Sequence, residues 1–220
     1  MSDVTVIAIN YNTGALARAA VEGAGRDLHD VNWDAIVVDN ASDDGSLAVL
    51  QGMSRTRVIA NPRNVGFGPA INQAARESAA TLLWILNPDC DVQAGAFARL
   101  RETLSKHPDC AIAAPQLLNA DGTTQASARG NPSAWTGLFG RHSILTKFFP
   151  NAALAKTNLP AKDLVASGVE SAVVDWVMGA SMLIRREPFD AVGGFDERYF
   201  LYWEDADLCR RLRSDGWTTR

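Results

Sequence analysis

Short apolar runs, each ending in a polar loop, set the pattern of this chain. Val4 to Ile9 (VTVIAI) is β-branched and almost continuously apolar, as a strand buried on both faces requires. Ala35 to Val38 (AIVV), Arg57 to Ala60, Leu82 to Leu86 (LLWIL) and Cys110 to Ala114 repeat it. Helical composition lies between them: an Ala-rich segment after Thr13, then Pro69 to Ala79, then Ala94 to Lys106. Thr13 is the expected N-cap of the first, and Pro69 suits the first turn of the second. Such alternation predicts an α/β fold: a mostly parallel sheet with helices on both faces, three layers in all. Each strand hands over to a loop rich in Asn, Asp and Gly, where ligands of such sheets bind.

The second half is less regular. Asn119-Ala120-Asp121-Gly122 predicts a hairpin turn. Arg141 to Lys156 sets basic residues beside Ile144, Leu145, Phe148 and Phe149. A mobile loop over a site, an interfacial helix on a membrane, and an ordinary loop packing its own aromatics all fit. Val173 to Val177 reads as a strand, followed by the apolar Met182-Leu183-Ile184 and a glycine turn at Gly193-Gly194. After the aromatic Tyr199–Trp203, the acids of Glu204-Asp205-Ala206-Asp207 open a helix, Leu208 to Asp215, which Gly216 closes. Trp217 to Arg220 begins a further strand. Acids are favoured at a helix start, so capping accounts for one of these three without difficulty.

The stretch Leu82 to Val92 (LLWILNPDCDV) carries the first candidate chemistry. Pro88 lacks the N–H of a central strand, so the strand ends there and Asp89 and Asp91 fall on the loop. Carboxylates at i and i+2 can turn toward one hard cation or a sugar hydroxyl; a solvated Asx turn is the plain alternative. The chain lacks GxGxxG after its first strand and lacks GxxxxGK[ST], which disfavours dinucleotide enzymes and P-loop NTPases. Its 220 residues suit one domain, and a net charge of −4 argues against a nucleic-acid partner. Cys90, Cys110 and Cys209 show no metal spacing and read as reduced thiols. With no basic leader and no continuous apolar span, the expected location is cytoplasmic.

Five stretches together resemble the inverting nucleotide-sugar glycosyltransferases of family 2, which have the GT-A fold. They are VIAINYN (Val6–Asn12), VVDNASDDGS (Val37–Ser46), NPRNVGFGPAINQA (Asn61–Ala74), LNPDCDV (Leu86–Val92) and GASMLIRREPFDAVGGFDERYFLYWEDADLCRRL (Gly179–Leu212). Within that family the chain is most similar to bacterial rhamnosyltransferases that extend surface polysaccharides or cell-wall linkers. The resemblance implies one GT-A domain over residues 1–220, with residues 1–114 binding nucleotide and 115–220 binding acceptor. It implies that Asp39 and Asn12 hold the base, that Asn64, Gly66 and Asn72 line the nucleotide pocket, and that Arg76 lies near base or phosphates. Asp89 and Asp91 are the DxD pair, Asp89 toward the ribose and Asp91 on Mg²⁺ or Mn²⁺. Asp205 is the implied general base, with Glu204 orienting it or the acceptor and Gly179 and Ala180 flooring the acceptor site. Asp207 is expected to be structural.

The implied reaction moves a sugar, L-rhamnose from dTDP-L-rhamnose ahead of UDP-sugars, onto a glycan or lipid-linked glycan. The partners would be donor and acceptor, with peripheral contact at the inner membrane face. Related enzymes often add a segment after the Glu-Asp helix that supplies a His ligand. Here His29, His107 and His142 all precede the motif, and a shortened C-terminus is the expectation. Two other classes stand beside this one. A nucleotidyltransferase would need a basic Gly-rich loop where Asn10–Gly14 stands, and a non-catalytic binding module would not turn over donor.

Overall fold

The computed structural model describes residues 2–125, 127–129 and 170–220. The segment 141–156, with its three open readings, therefore lies outside the described residues. Strand β1 is Val4–Asn10, β2 Trp33–Asp39, β3 Thr56–Ala60, β4 Leu82–Leu86 and β5 Cys110–Ala113. Helices α1 (Gly14–Asp27), α2 (Ser46–Leu50), α3 (Phe67–Glu77) and α4 (Ala96–Lys106) fall between them. A two-residue ribbon pairs β6 (Ala128–Arg129) with β7 (Trp176–Val177). Then follow β8 (Ser181–Arg185), α5 (Arg186–Ala191), α6 (Glu204–Ser214) and β9 (Thr218–Thr219).

The main sheet has seven strands in the order β3-β2-β1-β4-β8-β5-β9. Strands β3, β2, β1 and β4 run parallel, in the register Asn10 with Asp39 and Asp39 with Ala60. Alternate residues sort to two cores, the period-2 consequence of a strand buried on both faces. Ile7, Ile36, Ile85 and Ile184 join Ile71 of α3 and Leu208 of α6 in one core. Val6, Val37, Trp84 and Leu183 join Val21 of α1 and Leu100 of α4 in the other. The three layers predicted from the alternation are present.

Three local readings change. The strand expected over Val173–Val177 shrinks to β7, with Val174 making only an isolated bridge to Thr219. The apolar Met182–Ile184 is the middle of β8, which runs antiparallel between β4 and β5. Thr13 does occupy the N-cap of α1, but its side chain makes no cap bond and its hydroxyl donates to Asn10 Oδ1. Ser46 Oγ accepts the Gly14 N–H instead, at 2.9 Å. The hairpin turn at Asn119–Gly122 forms as expected, closed by Asn119 N–H to Thr123 O.

Candidate active site

Four parallel strands end side by side, so the loops after Asn10, Asp39, Ala60 and Leu86 leave one edge of the sheet. Because β8 is antiparallel, its start rather than its end reaches that edge, and Ser181 pairs with Leu86. Gly179 and Ala180 therefore sit beside the loop that carries Asp89 and Asp91.

Asp39, at the end of β2, is 2% exposed. Its Oδ1 accepts from Asn10 Nδ2 and from Ser42 Oγ, both at 2.6 Å, and its Oδ2 accepts the Ser42 N–H at 3.1 Å. Asn12, at φ 55°, joins the first loop to the second: its Nδ2 donates to Asp43 Oδ1 and its Oδ1 accepts the Asp43 N–H. The sequence reading missed Asn10 and Ser42, which hold this arrangement. A polar Asn that is wholly buried at the last position of an apolar strand is the signal for the first.

Asp89 and Asp91 are exposed on the loop after β4. Cys90 between them turns inward, its Sγ donating to Ala180 O at 3.2 Å, so neighbours at i−1 and i+1 are left toward solvent. Burial and the Asp89 charge push the Cys90 thiol up to about 11, and it stays protonated. The Asn87 N–H also donates to Ala180 O, at 2.8 Å. Among the described residues no three His, Cys, Asp or Glu side chains gather as a metal cluster. Two exposed carboxylates fit a hard cation that draws its other ligands from a diphosphate and water.

Asp205 completes this edge. Its Oδ2 accepts the Gly179 N–H at 3.0 Å and its Oδ1 accepts the Ala206 N–H at 2.7 Å. A Cβ on Gly179 would stand 3.2 Å from Phe67 Cε1, so the floor is bare backbone by necessity. None of the three acids is the N-cap of α6, which is Trp203 with no side-chain cap bond; all three lie in its first turn, where Asp205 takes up the Ala206 N–H. Asp207 is structural, as expected, but through ion pairs. It bonds Arg211 at 2.6 Å and Arg210 at 3.0 Å, and Arg211 donates onward to Val192 O and Gly194 O. Glu204 is 5% exposed, lies against Gly68, and its Oε2 has no hydrogen-bond partner among the described residues. Burial, then the Asp205 charge, raises its carboxyl above the usual range. Its burial leaves little of it open to an acceptor.

The remaining residues implied by the resemblance fall elsewhere. Asn64 and Arg76 line a cavity of about 540 Å³ with Asn61, Arg63, Gln73 and Phe200. Its walls include neither Asp39, Asn12, Asp89 nor Asp91. Asn72 corrects the expectation of a nucleotide contact. It is 6% exposed and both ends of its amide are engaged, Nδ2 to Phe195 O and Glu197, Oδ1 from the Phe195 N–H. Gly66 likewise faces backbone, since a Cβ there would meet the Phe200 carbonyl.

Residues 5–161 match the family model described as Glycosyl transferase family 2. The N-acetylglucosaminyl-diphospho-decaprenol L-rhamnosyltransferase of Mycobacterium tuberculosis is 32% identical over 198 residues, 83% of this chain and 61% of that relative. Rhamnosyltransferase WbbL of Escherichia coli is 44% identical over 75 residues, 33% of this chain and 27% of its own. The chain thus spans about three-fifths of the mycobacterial relative. Among solved structures, the mannosyltransferase PcManGT of Pyrobaculum calidifontis, in complex with GDP-Man and Mn²⁺, superposes with TM-score 0.64 at 16% identity. That match covers 99% of this chain and 54% of the neighbour. S. aureus TarS residues 1–349 give TM-score 0.64 at 12% identity, covering 99% of this chain and 58% of TarS. The fold is GT-A, and the chain belongs to glycosyl transferase family 2.

Proposed function

We propose that this chain is the catalytic domain of an inverting rhamnosyltransferase that moves L-rhamnose from dTDP-L-rhamnose onto a lipid-linked N-acetylglucosamine glycan. One observation carries the reading. Asp205 is tied to Gly179, and the adjacent Ala180 carbonyl is tied to the Asp89–Asp91 loop. A base and a diphosphate-binding loop thereby share one edge of the sheet. The rhamnosyltransferases of M. tuberculosis and E. coli support the sugar, and the name of the mycobacterial relative supports the acceptor.

In this reading residues 1–114 bind nucleotide and residues 115–220 bind acceptor. Asp39 and Asn12 meet the base, with Asn64 and Arg76 near the nucleotide. Asp91, with Asp89 beside it and toward the ribose, would hold Mg²⁺ or Mn²⁺, and such an ion would neutralise charge on the diphosphate; the Mn²⁺ in the mannosyltransferase neighbour supports it. Asp205 accepts the proton of the acceptor hydroxyl as its oxygen attacks the anomeric carbon. The bond to the diphosphate breaks on the opposite face with its electron pair, and the configuration inverts. Base catalysis of this kind contributes roughly 10²–10⁴-fold. Among the described residues no helix is long and apolar enough to cross a membrane, so a lipid-linked acceptor would be met at the membrane surface.

A thermal-shift screen with Mn²⁺ tests the donor. A ligand at a hundred times its Kd adds about 2.7 kcal/mol to the folded state, which raises Tm by roughly 5–10 °C for a chain of this size. We expect dTDP-L-rhamnose to give the largest rise. A larger rise with a UDP-sugar would reassign the donor, and no rise with any nucleotide sugar would refute the reading.

A further inference from the structure

The turn from Tyr199 to Trp203 exposes four consecutive large side chains beside the candidate base. Phe200, Leu201, Tyr202 and Trp203 are 58%, 51%, 72% and 54% exposed. Apolar surface concentrated in this way marks a binding surface. Tyr202 and Trp203 also sit at φ 69° and 73°, a left-handed conformation that aromatic residues adopt only when their surroundings impose it. Two backbone bonds impose it: Phe67 N–H to Phe200 O at 3.1 Å, and Asp207 N–H to Trp203 O at 2.9 Å.

The Trp203 ring rests on Trp176, with centroids 6.1 Å apart and planes tilted by 41°. Trp176 lies in β7, three residues before Gly179, and Gly179 is held by Asp205. Asp205 in turn is two residues after Trp203. The two indoles and the carboxylate are therefore linked in one closed circuit of contacts.

We propose that Trp203, braced by Trp176, is the face on which a pyranose ring of the acceptor stacks, turning one hydroxyl toward Asp205. This rests on the glycosyltransferase reading above. A pyranose has an apolar C–H face and a rim of hydroxyls. A flat indole covers the first and leaves the second free for a carboxylate, and binding sites of this kind pair aromatic walls with a few placed polar groups. Charge disfavours a lipid surface as the occupant. From Asp196 to Asp207 the charges that are not buried are Asp196, Glu197 and Asp205 against Arg198, whereas a turn that docks on anionic lipid needs the opposite balance.

The test measures rhamnose transfer from dTDP-L-rhamnose to water-soluble octyl N-acetylglucosaminide, and dTDP binding by calorimetry. Trp203→Gly removes the ring while suiting the left-handed backbone, so the fold is kept; Trp203→Phe restores an aromatic face. Trp203→Gly should raise the acceptor KM at least tenfold with the dTDP Kd within twofold of wild type, and Trp203→Phe should recover most of the loss. An unchanged acceptor KM in Trp203→Gly overturns the proposal, and so does a parallel loss of dTDP binding. A defect confined to acceptor embedded in vesicles would make the turn a membrane contact instead. Wild-type protein that binds no dTDP and transfers no sugar would show a failure of the underlying reading, and the stacking role would fall with it.

Discussion

Replacing Gly66 with alanine should separate two costs that the structure makes distinct. Gly66 stands before α3 at φ 94° and ψ 178°, a region open essentially to glycine alone. Holding alanine there costs about 1–3 kcal/mol. The new Cβ would also fall on the Phe200 carbonyl oxygen, with the carbonyl carbon and Cα of Phe200 each at 3.1 Å. Those are backbone atoms, so the turn itself must move, and the Phe67 N–H to Phe200 O bond goes with it. Losing that bond adds about 1 kcal/mol. The sum, about 2–4 kcal/mol, lowers Tm by roughly 5–15 °C for a chain of this length. Gly45→Ala is the control: Gly45 is also left-handed, at φ 86°, but its Cβ would meet nothing within 4 Å. It should lose only the conformational term, about 1–2 kcal/mol. Calorimetric melting of both variants reads the difference, and transfer assays should show Gly66→Ala losing activity because the displaced turn leads into Asp205. Equal melting temperatures in the two variants would refute a role for the Phe200 contact.

Three further outcomes follow from the site. Asp91→Asn should weaken dTDP binding in Mn²⁺ and make it insensitive to EDTA; calorimetry showing wild type equally indifferent to EDTA would remove the cation. Asp205→Asn keeps the shape and should leave dTDP affinity intact while turnover falls roughly a hundredfold or more; transfer within a few-fold of wild type would exclude it as the base. Glu204 has a folded carboxyl value raised above the ordinary 4.5, so its contribution to stability is best below that pH and is lost as pH rises through the folded value. The melting temperature of Glu204→Gln should therefore gain on wild type as pH rises from about 4 upward, and a difference flat across pH would refute the burial argument.

Parallel strands buried on both faces announce themselves as apolar runs, which is why β4 falls on Leu82–Leu86 in both the sequence reading and the structure. What periodicity could not supply was β8. Nothing local tells that its five residues insert antiparallel between β4 and β5. Asn72 was misread for a similar reason. An Asn in an Ala-rich helix reads as a ligand contact until its partners, 123 and 125 residues away, are known. The start of the last helix was read four residues late, at Leu208, whereas α6 begins at Glu204 and holds all three acids in its first turn, where its dipole favours them. The loop placement of Asp89 and Asp91 was legible because Pro88 ends the strand before them.

A Glu-Asp pair in a sequence does not say which carboxylate acts, and here the environments separate the two. Glu204 is held among apolar neighbours with one oxygen lacking a partner, so ionising it is opposed by desolvation and by Asp205 beside it. Asp205 is half-buried and accepts two backbone N–H bonds, from Gly179 and Ala206. A base must be ionised and must reach the incoming hydroxyl. The second condition favours the proposal of Asp205 as the base, since Glu204 is buried whereas Asp205 is only half-buried. The same geometry accounts for Gly179: its N–H holds Asp205, and the Phe67 ring packs where its side chain would stand.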